Sequence, residues 1–234
     1  MIDDAKLDLL VFAAHPDDAE IGMGGTIAKA ARAGQRVGMY DLTYAEMSSN
    51  GDPDTRQLEA VRATELLGLT VRGNLGLPDR GLRPGTEQAD KLVEVIRRHR
   101  PRVVFAPYFE DRHPDHAACS RLAEEAVFNA KLRRYMPSSD AWTAEAFVYY
   151  FINDMHAPRL VVDITEYQSL KMEALSAYRS QFAPMDETRD WVPTPLTAGY
   201  LDHVAARDRL FGAPHRLAYA EGFIPKGPLL VGGF

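Results

Sequence analysis

The chain has 234 residues, 46% hydrophobic and 26% charged, a balance that excludes a disordered chain and suffices for one large core. Its formal charge of −6 argues against a general nucleic-acid binder or a partner of anionic membranes, and its single cysteine, Cys119, excludes an intrachain disulfide and a thiolate-based structural zinc site. The acidic start at Met1-Ile2-Asp3-Asp4 does not resemble a signal peptide, and no run approaches the ~18 apolar residues of a membrane span, so a cytoplasmic location is expected.

Residues 7–14 form a nearly continuous apolar run, suited to a strand buried on both faces of a parallel sheet. Residues 21–33 turn small and helical, and Gly34 stops them. Residues 36–43 read as a second strand. Residues 54–67 read as a helix with Leu58, Val61, Leu66 and Leu67 on or near one stripe. A weaker strand at 70–75, a helix at 86–99 with Leu92, Val93 and Ile96 inward, and a strand at 102–106 follow. This alternation predicts βαβ units and a parallel sheet. Beyond it come a helix at 116–134, strands at 146–152 and 160–164, and a helix reaching about residue 180, opened by the capping-box spacing of Thr165 and Gln168. A helix at 197–210 and a strand at 219–224 complete the chain, which reads as a single domain over 1–234. Residues 44–53 and 182–195 read as loops.

Two of the predicted strands end in clusters of imidazole and carboxylate. The first runs into Ala14-His15-Pro16-Asp17-Asp18-Ala19-Glu20, the fourth into Asp111-Arg112-His113-Pro114-Asp115-His116. In open α/β sheets ligands bind beyond the carboxyl ends of the strands, so the two loops share one rim if those strands are neighbours. His15 and Asp18 can converge from a tight turn, and His116 at the mouth of a helix supplies a third ligand for zinc or another divalent cation, one per chain. Three ligands leave a position open for water, the catalytic rather than the structural arrangement. Asp17 is then a general base, and His113 an acid or electrophile. Taken alone, His-Pro-Asp-Asp is an ordinary strand-to-helix turn with Asp as N-cap. The two clusters occurring together favour the metal site.

Gly22-Met23-Gly24-Gly25, with Asp41 at the end of the second strand, invites a rival reading as a nicotinamide-dependent oxidoreductase. Ile27 stands where the fingerprint's third glycine belongs, and two carboxylates occupy the turn where a pyrophosphate would sit. Close helix-to-sheet packing is the better account of these glycines. A metal-binding module without turnover is the non-enzyme rival, and it would need neither Asp17 nor His113.

At these residues the sequence resembles the LmbE-like, or PIG-L, family of zinc-dependent N-acetylglucosamine deacetylases. The family's Ala-His-Pro-Asp-Asp-x-Glu stands at Ala14 to Glu20 and its His-x-x-His at His113 to His116. Leu77-Pro78-Asp79-Arg80-Gly81-Leu82, Tyr178-x-Ser180-Gln181-Phe182 and Tyr219-Ala220-Glu221-Gly222-Phe223 are similar to the bacillithiol-biosynthesis branch, which deacetylates N-acetylglucosaminyl-malate. Relatives also include chitooligosaccharide deacetylases. The resemblance implies an α/β, Rossmann-like, mostly parallel sheet flanked by helices, and a homo-oligomer, commonly a hexamer. It assigns zinc to His15, Asp18 and His116, the base to Asp17, and oxyanion or acid duty to His113. Tyr200 matches a tyrosine that reaches the open metal position.

A sugar-malate carries two carboxylates, which an acidic protein must meet with local cations. Arg56 and Arg112 are the expected partners, since a guanidinium matches a carboxylate bidentately. Arg80 either joins them or pins its own loop through Asp79. A neutral chitooligosaccharide is the alternative substrate, and Trp191 keeps it in view.

Overall fold

A computed structural model describes residues 5–183 and 191–229. The first half alternates β1 (Leu9–Ala13), α1 (Asp18–Arg32), β2 (Val37–Asp41), α2 (Pro53–Leu67), β3 (Val71–Asn74), α3 (Thr86–His99), β4 (Val103–Pro107) and α4 (Pro114–Ala130). Then come β5 (Ala146–Tyr150), β6 (Leu160–Asp163), α5 (Gln168–Ser176), the short α6 (Arg179–Phe182), α7 (Tyr200–Gly212) and β7 (Ala220–Pro225). The expectations for residues 1–4 and 184–190 lie outside the described residues.

The strands form one sheet in the order β3-β2-β1-β4-β5-β7-β6. The pairs from β3 through to β5 are parallel, and β7 runs antiparallel between β5 and β6. The Rossmann-like, mostly parallel α/β expectation therefore holds. The order reverses at β1, between β2 and β4, which makes the gap beyond β1 and β4 the natural ligand position.

Along β1 the side chains alternate. Leu10 and Phe12 enter the core with Leu92 and Ile96 of α3 and Leu122 of α4. Val11 and Ala13 enter the opposite core with Ile27 of α1, Ala60 of α2 and Leu175 of α5. A strand covered on both faces needs an unbroken apolar run, and residues 7–14 supply it. Among the described residues no helix is long and apolar enough to cross a membrane.

Three local expectations are corrected. Leu58 and Val61 of α2 are exposed, and the helix buries Arg56, Ala60, Ala63 and Leu67 instead. Close packing against a neighbouring helix selects its small side, and the larger aliphatics face water. Thr165 does not cap α5: its hydroxyl donates to Tyr219 O, and the helix starts at Gln168. The helix expected to reach residue 180 breaks at Tyr178 (φ −80°, ψ 65°), whose hydroxyl donates to the buried Glu20 at 2.6 Å.

The glycines of α1 serve packing. A Cβ at Gly22 would lie 2.3 Å from Tyr150 Cδ2, and one at Gly25 would lie 2.8 Å from Ile164.

Candidate active site

Three rim loops meet over the switch point. The β1–α1 turn carries His15 to Asp17 and leads into Asp18, the β3–α3 loop carries Asp79 and Arg80, and the β4–α4 loop carries Asp111 to His113 ahead of Asp115 and His116. Asp17 precedes α1 but does not cap it, since its carboxylate accepts no bond from the first turn. Its backbone sits at φ 113°, a region that side chains other than glycine avoid and that costs of order 1–3 kcal/mol. The turn thus frees Asp17 from the structural duty that its sequence context offers.

His15, His113 and His116 bring ring nitrogens within 4.8 Å of one another. What lies behind each ring separates their roles. His116 Nδ1 faces Asp111 Oδ1 at 2.9 Å, and His15 Nε2 faces Asp79 Oδ1 at 3.2 Å. An ionised carboxylate only accepts, so these nitrogens carry the protons. The opposite nitrogens, His116 Nε2 and His15 Nδ1, are then the ones that would turn lone pairs to a cation once it displaces their protons. They face the two oxygens of Asp18 at 3.1 and 3.2 Å. Ligand atoms about 2.0–2.1 Å from a tetrahedral zinc ion would be spaced on the order of 3.3 Å apart, so this donor set fits a divalent cation. His113 differs. Its Nδ1 accepts the N–H of Asp115 at 3.2 Å, so its proton is on Nε2 and no lone pair remains for a metal. His15, Asp79 and Asp115 form a second close group, but it uses the nitrogen of His15 that points away from Asp18.

The electrostatics also ask for a cation. Burial works against a charged His116, but Asp18 and Asp111 outweigh it and push the imidazole up to about 9. Burial likewise opposes a charged His15, and Asp18, Asp115 and Asp79 hold it well above the usual histidine value. Burial would raise Asp18, yet His116 and His15 keep it well below the carboxylate range. In the metal-free protein, protons supply that positive charge.

Asp17 is pushed up to about 7 by burial, against the pull of the Arg56 guanidinium. Burial and the neighbouring His116 and His15 push His113 down to about 4, so its ring is neutral at pH 7. Both residues line a cleft of about 450 Å³ with Met47, Arg80, Arg112 and Leu196 at its edge.

The other expected residues are placed less simply. Arg56 is buried beneath Asp17, 3.1 Å from its Oδ2, and also donates to Pro16 O. Arg112 is exposed at the cleft edge and donates to Asn153 Oδ1 at 3.0 Å. Arg80 pins its loop, as one reading allowed, but through Asp115 rather than Asp79. Tyr200 lies one layer out: its hydroxyl is 3.1 Å from Asn153 Oδ1 and 3.4 Å from Ile152 O. The sequence places Asp111 in the second rim cluster and offers Asp79 as a tether for Arg80, without giving either a histidine partner, and nothing in it marks Asn153. Asn153 donates from its backbone and side chain to the two oxygens of Asp111, fixing the carboxylate behind His116. The sequence signal for both is their place in loops that follow rim strands, with Asp111 also inside the second cluster.

A mostly parallel sheet with a histidine and carboxylate cluster at its switch point offers a candidate metal site of the kind metal-dependent hydrolases use. Residues 10–127 match the family PIG-L, GlcNAc-PI de-N-acetylase, a span that holds both rim motifs. The chain is 32% identical over 230 residues to the diacetylchitobiose deacetylase of Thermococcus kodakarensis, covering 90% of this chain and 80% of the relative. It is 30% identical over 189 residues to a protein of Bacillus subtilis named probable N-acetyl-alpha-D-glucosaminyl L-malate deacetylase 2, covering 75% and 84%. The crystal structure of the conserved protein TT1542 from Thermus thermophilus superposes with TM-score 0.88 at 42% identity, covering 96% of this chain and 97% of that one. The chain belongs to the PIG-L family of deacetylases and is a metal-dependent amidohydrolase.

Proposed function

We propose that the protein is a zinc-dependent N-deacetylase that releases acetate from a short, neutral N-acetylglucosaminide of the diacetylchitobiose kind. The observation that carries the chemistry is Asp18, whose two oxygens face His15 Nδ1 and His116 Nε2 beside the uncapped Asp17. His15, Asp18 and His116 are the proposed ligands, and Asp17 and His113 act on the substrate. A divalent ion held by these three side chains would acidify a water and polarise the acetamide carbonyl. Asp17 takes the water's proton as hydroxide adds to that carbonyl, a role suited to a base near neutrality. Arg56 holds the Asp17 carboxylate in place and favours its ionised form. His113, neutral with its proton on Nε2, donates a hydrogen bond to the developing oxyanion. The proton on Asp17 then passes to the amine nitrogen, the C–N bond breaks, and acetate and a free glucosamine leave. Tyr200 acts through Asn153 on the placement of Asp111 rather than on the substrate.

The malate expectation keeps only part of its physical support. Two guanidinia were to meet its carboxylates, but Arg56 is buried and committed to Asp17 and Pro16, which leaves of the pair only Arg112, exposed at the cleft and bonded to Asn153 through one N–H. A dianion would have to compete with these bonds on a protein of net charge −6. The cleft edge offers Met47, Pro195 and Leu196, apolar surface suited to a sugar face. The match to the diacetylchitobiose enzyme is also the longer of the two sequence matches.

The test is acetate release from N,N′-diacetylchitobiose and from N-acetylglucosaminyl-malate, side by side. A higher kcat/KM for diacetylchitobiose, little changed by Arg112→Ala, supports this reading. A preference for the malate conjugate that Arg112→Ala abolishes would restore the other. The homohexamer expected from the family is tested by light scattering: a mass near six times 26.1 kDa supports it, and a monomer mass rejects it.

A further inference from the structure

Helix α1 is broken at Met23, whose φ of −151° and ψ of 23° lie outside the helical region while both flanks remain helical. A break inside a helix creates two new ends, one with unpaired carbonyls and one with unpaired N–H groups. Here every residue from 18 to 28 is buried, so bulk water does not serve those ends.

Two charged side chains from the far end of the sequence serve them instead. Arg207 of α7 donates from Nη2 to Ile21 O at 2.6 Å. Glu221 of β7 accepts the N–H of Gly25 on Oε1 at 2.9 Å and that of Thr26 on Oε2 at 2.7 Å. The signs suit the helix dipole, with a cation at the carbonyl end and an anion at the amide end. The two caps are joined through fully buried charges. Lys171 Nζ lies 2.8 Å from Glu221 Oε1 and 2.6 Å from Asp208 Oδ2, and Asp208 Oδ1 lies 3.7 Å from Arg207 Nε.

Burying four charges around one helix break is expensive. The break divides α1 into two stretches with different neighbours. The stretch before it carries Asp18 at its first position and follows Asp17; the stretch after it packs through Gly25 against Ile164. Arg207 also reaches the other half of the site. Its Nη1 donates to Ile152 O at 2.6 Å, and the next residue, Asn153, fixes Asp111 behind His116. One guanidinium thus ties the turn bearing Asp18 to the strand end that steadies the partner of His116.

We propose that Arg207 and Glu221 are positioning residues that set the metal-binding geometry of Asp18 through the break in α1. This rests on the assignment of Asp18 as a ligand.

The test measures zinc affinity by competition with a chromophoric chelator, with thermal melting of the metal-free protein, in Glu221→Gln, Arg207→Lys and Asp18→Asn. Glu221→Gln keeps an acceptor oxygen but loses the charge, and Arg207→Lys keeps the charge but loses the fork. In both, zinc affinity is expected to fall about 10–100-fold, as for other residues that orient ligands, and kcat to fall more than KM rises. A lower Tm with wild-type zinc affinity would overturn the proposal, because the network would then serve the fold alone. Wild-type zinc affinity in Asp18→Asn would instead remove the ligand assignment, whatever the other two variants do. If Glu221→Gln or Arg207→Lys fails to fold, hydrogen exchange on the wild-type protein decides. Coupling is reciprocal, so zinc should slow exchange at Gly25 and Thr26 more than at Leu92 and Val93 of α3. Equal slowing at both places would overturn it.

Discussion

Asp79 and Asp111 stand behind His15 and His116, while a backbone N–H stands behind His113, and this difference supports the proposal of two ligands and one donor among three neighbouring imidazoles. The sorting has measurable consequences. Asp111→Asn should weaken zinc binding about 10–100-fold, because the proton on His116 Nδ1 loses its carboxylate; unchanged affinity by chelator competition would contradict the tautomer argument. Asp17→Asn should retain zinc while kcat falls ~10²–10⁴, the usual cost of losing a general base. Near-normal turnover by the zinc-loaded variant would remove Asp17 from the chemistry. The metal-free protein also predicts a pH dependence. His116 is raised to about 9 from an ordinary 6.5, so below pH 9 a proton occupies the nitrogen that zinc needs. Affinity should therefore keep rising with pH up to about 9, and a plateau from pH 7 would contradict the shift. His15, Asp17, Asp18, His113 and His116 are legible in the sequence because they sit in two short motifs. Asp79 and Asn153 are not, because each meets its imidazole or carboxylate partner only after strands distant in sequence are laid side by side.

On the scale of elements, the sequence carries the sheet better than the helices. An apolar run such as residues 7–14 has one stable place, between two helical layers, and β1 occupies it. Helix faces are harder to read, because α2 turns its small residues inward and leaves Leu58 and Val61 in water. The cause lies in the closeness of neighbouring helices, which no single helix encodes. The glycines of α1 are the reverse case, since their pattern shows that something approaches closely but not what. Tyr150 is that neighbour at Gly22, so Gly22→Ala should destabilise the protein by about 1–3 kcal/mol through overpacking. Urea unfolding checks this, and wild-type stability would mean that the sheet yields more easily than its packing implies. NADH should show no binding by fluorescence, because Asp17 and Asp18 occupy the turn that a pyrophosphate would need.

For the whole molecule, a doubly covered sheet brings three rim loops to one point, and the hydrolytic chemistry lies there rather than in the fold. Fold class and metal motif are legible in the amino-acid sequence alone. The aglycone is not, because Arg56 looks available in a sequence and is committed to Asp17 and Pro16 in the folded protein. The central claim is that one divalent ion held by His15, Asp18 and His116 enables deacetylation of an N-acetylglucosaminide. Its most direct test strips the protein with a chelator, titrates zinc back, and follows acetate release from N,N′-diacetylchitobiose beside a His116→Ala variant. The account predicts no release from the stripped protein, recovery that saturates near one zinc per chain, and no recovery in the variant at the same zinc concentrations. Acetate release without metal, or full recovery in His116→Ala, would contradict it.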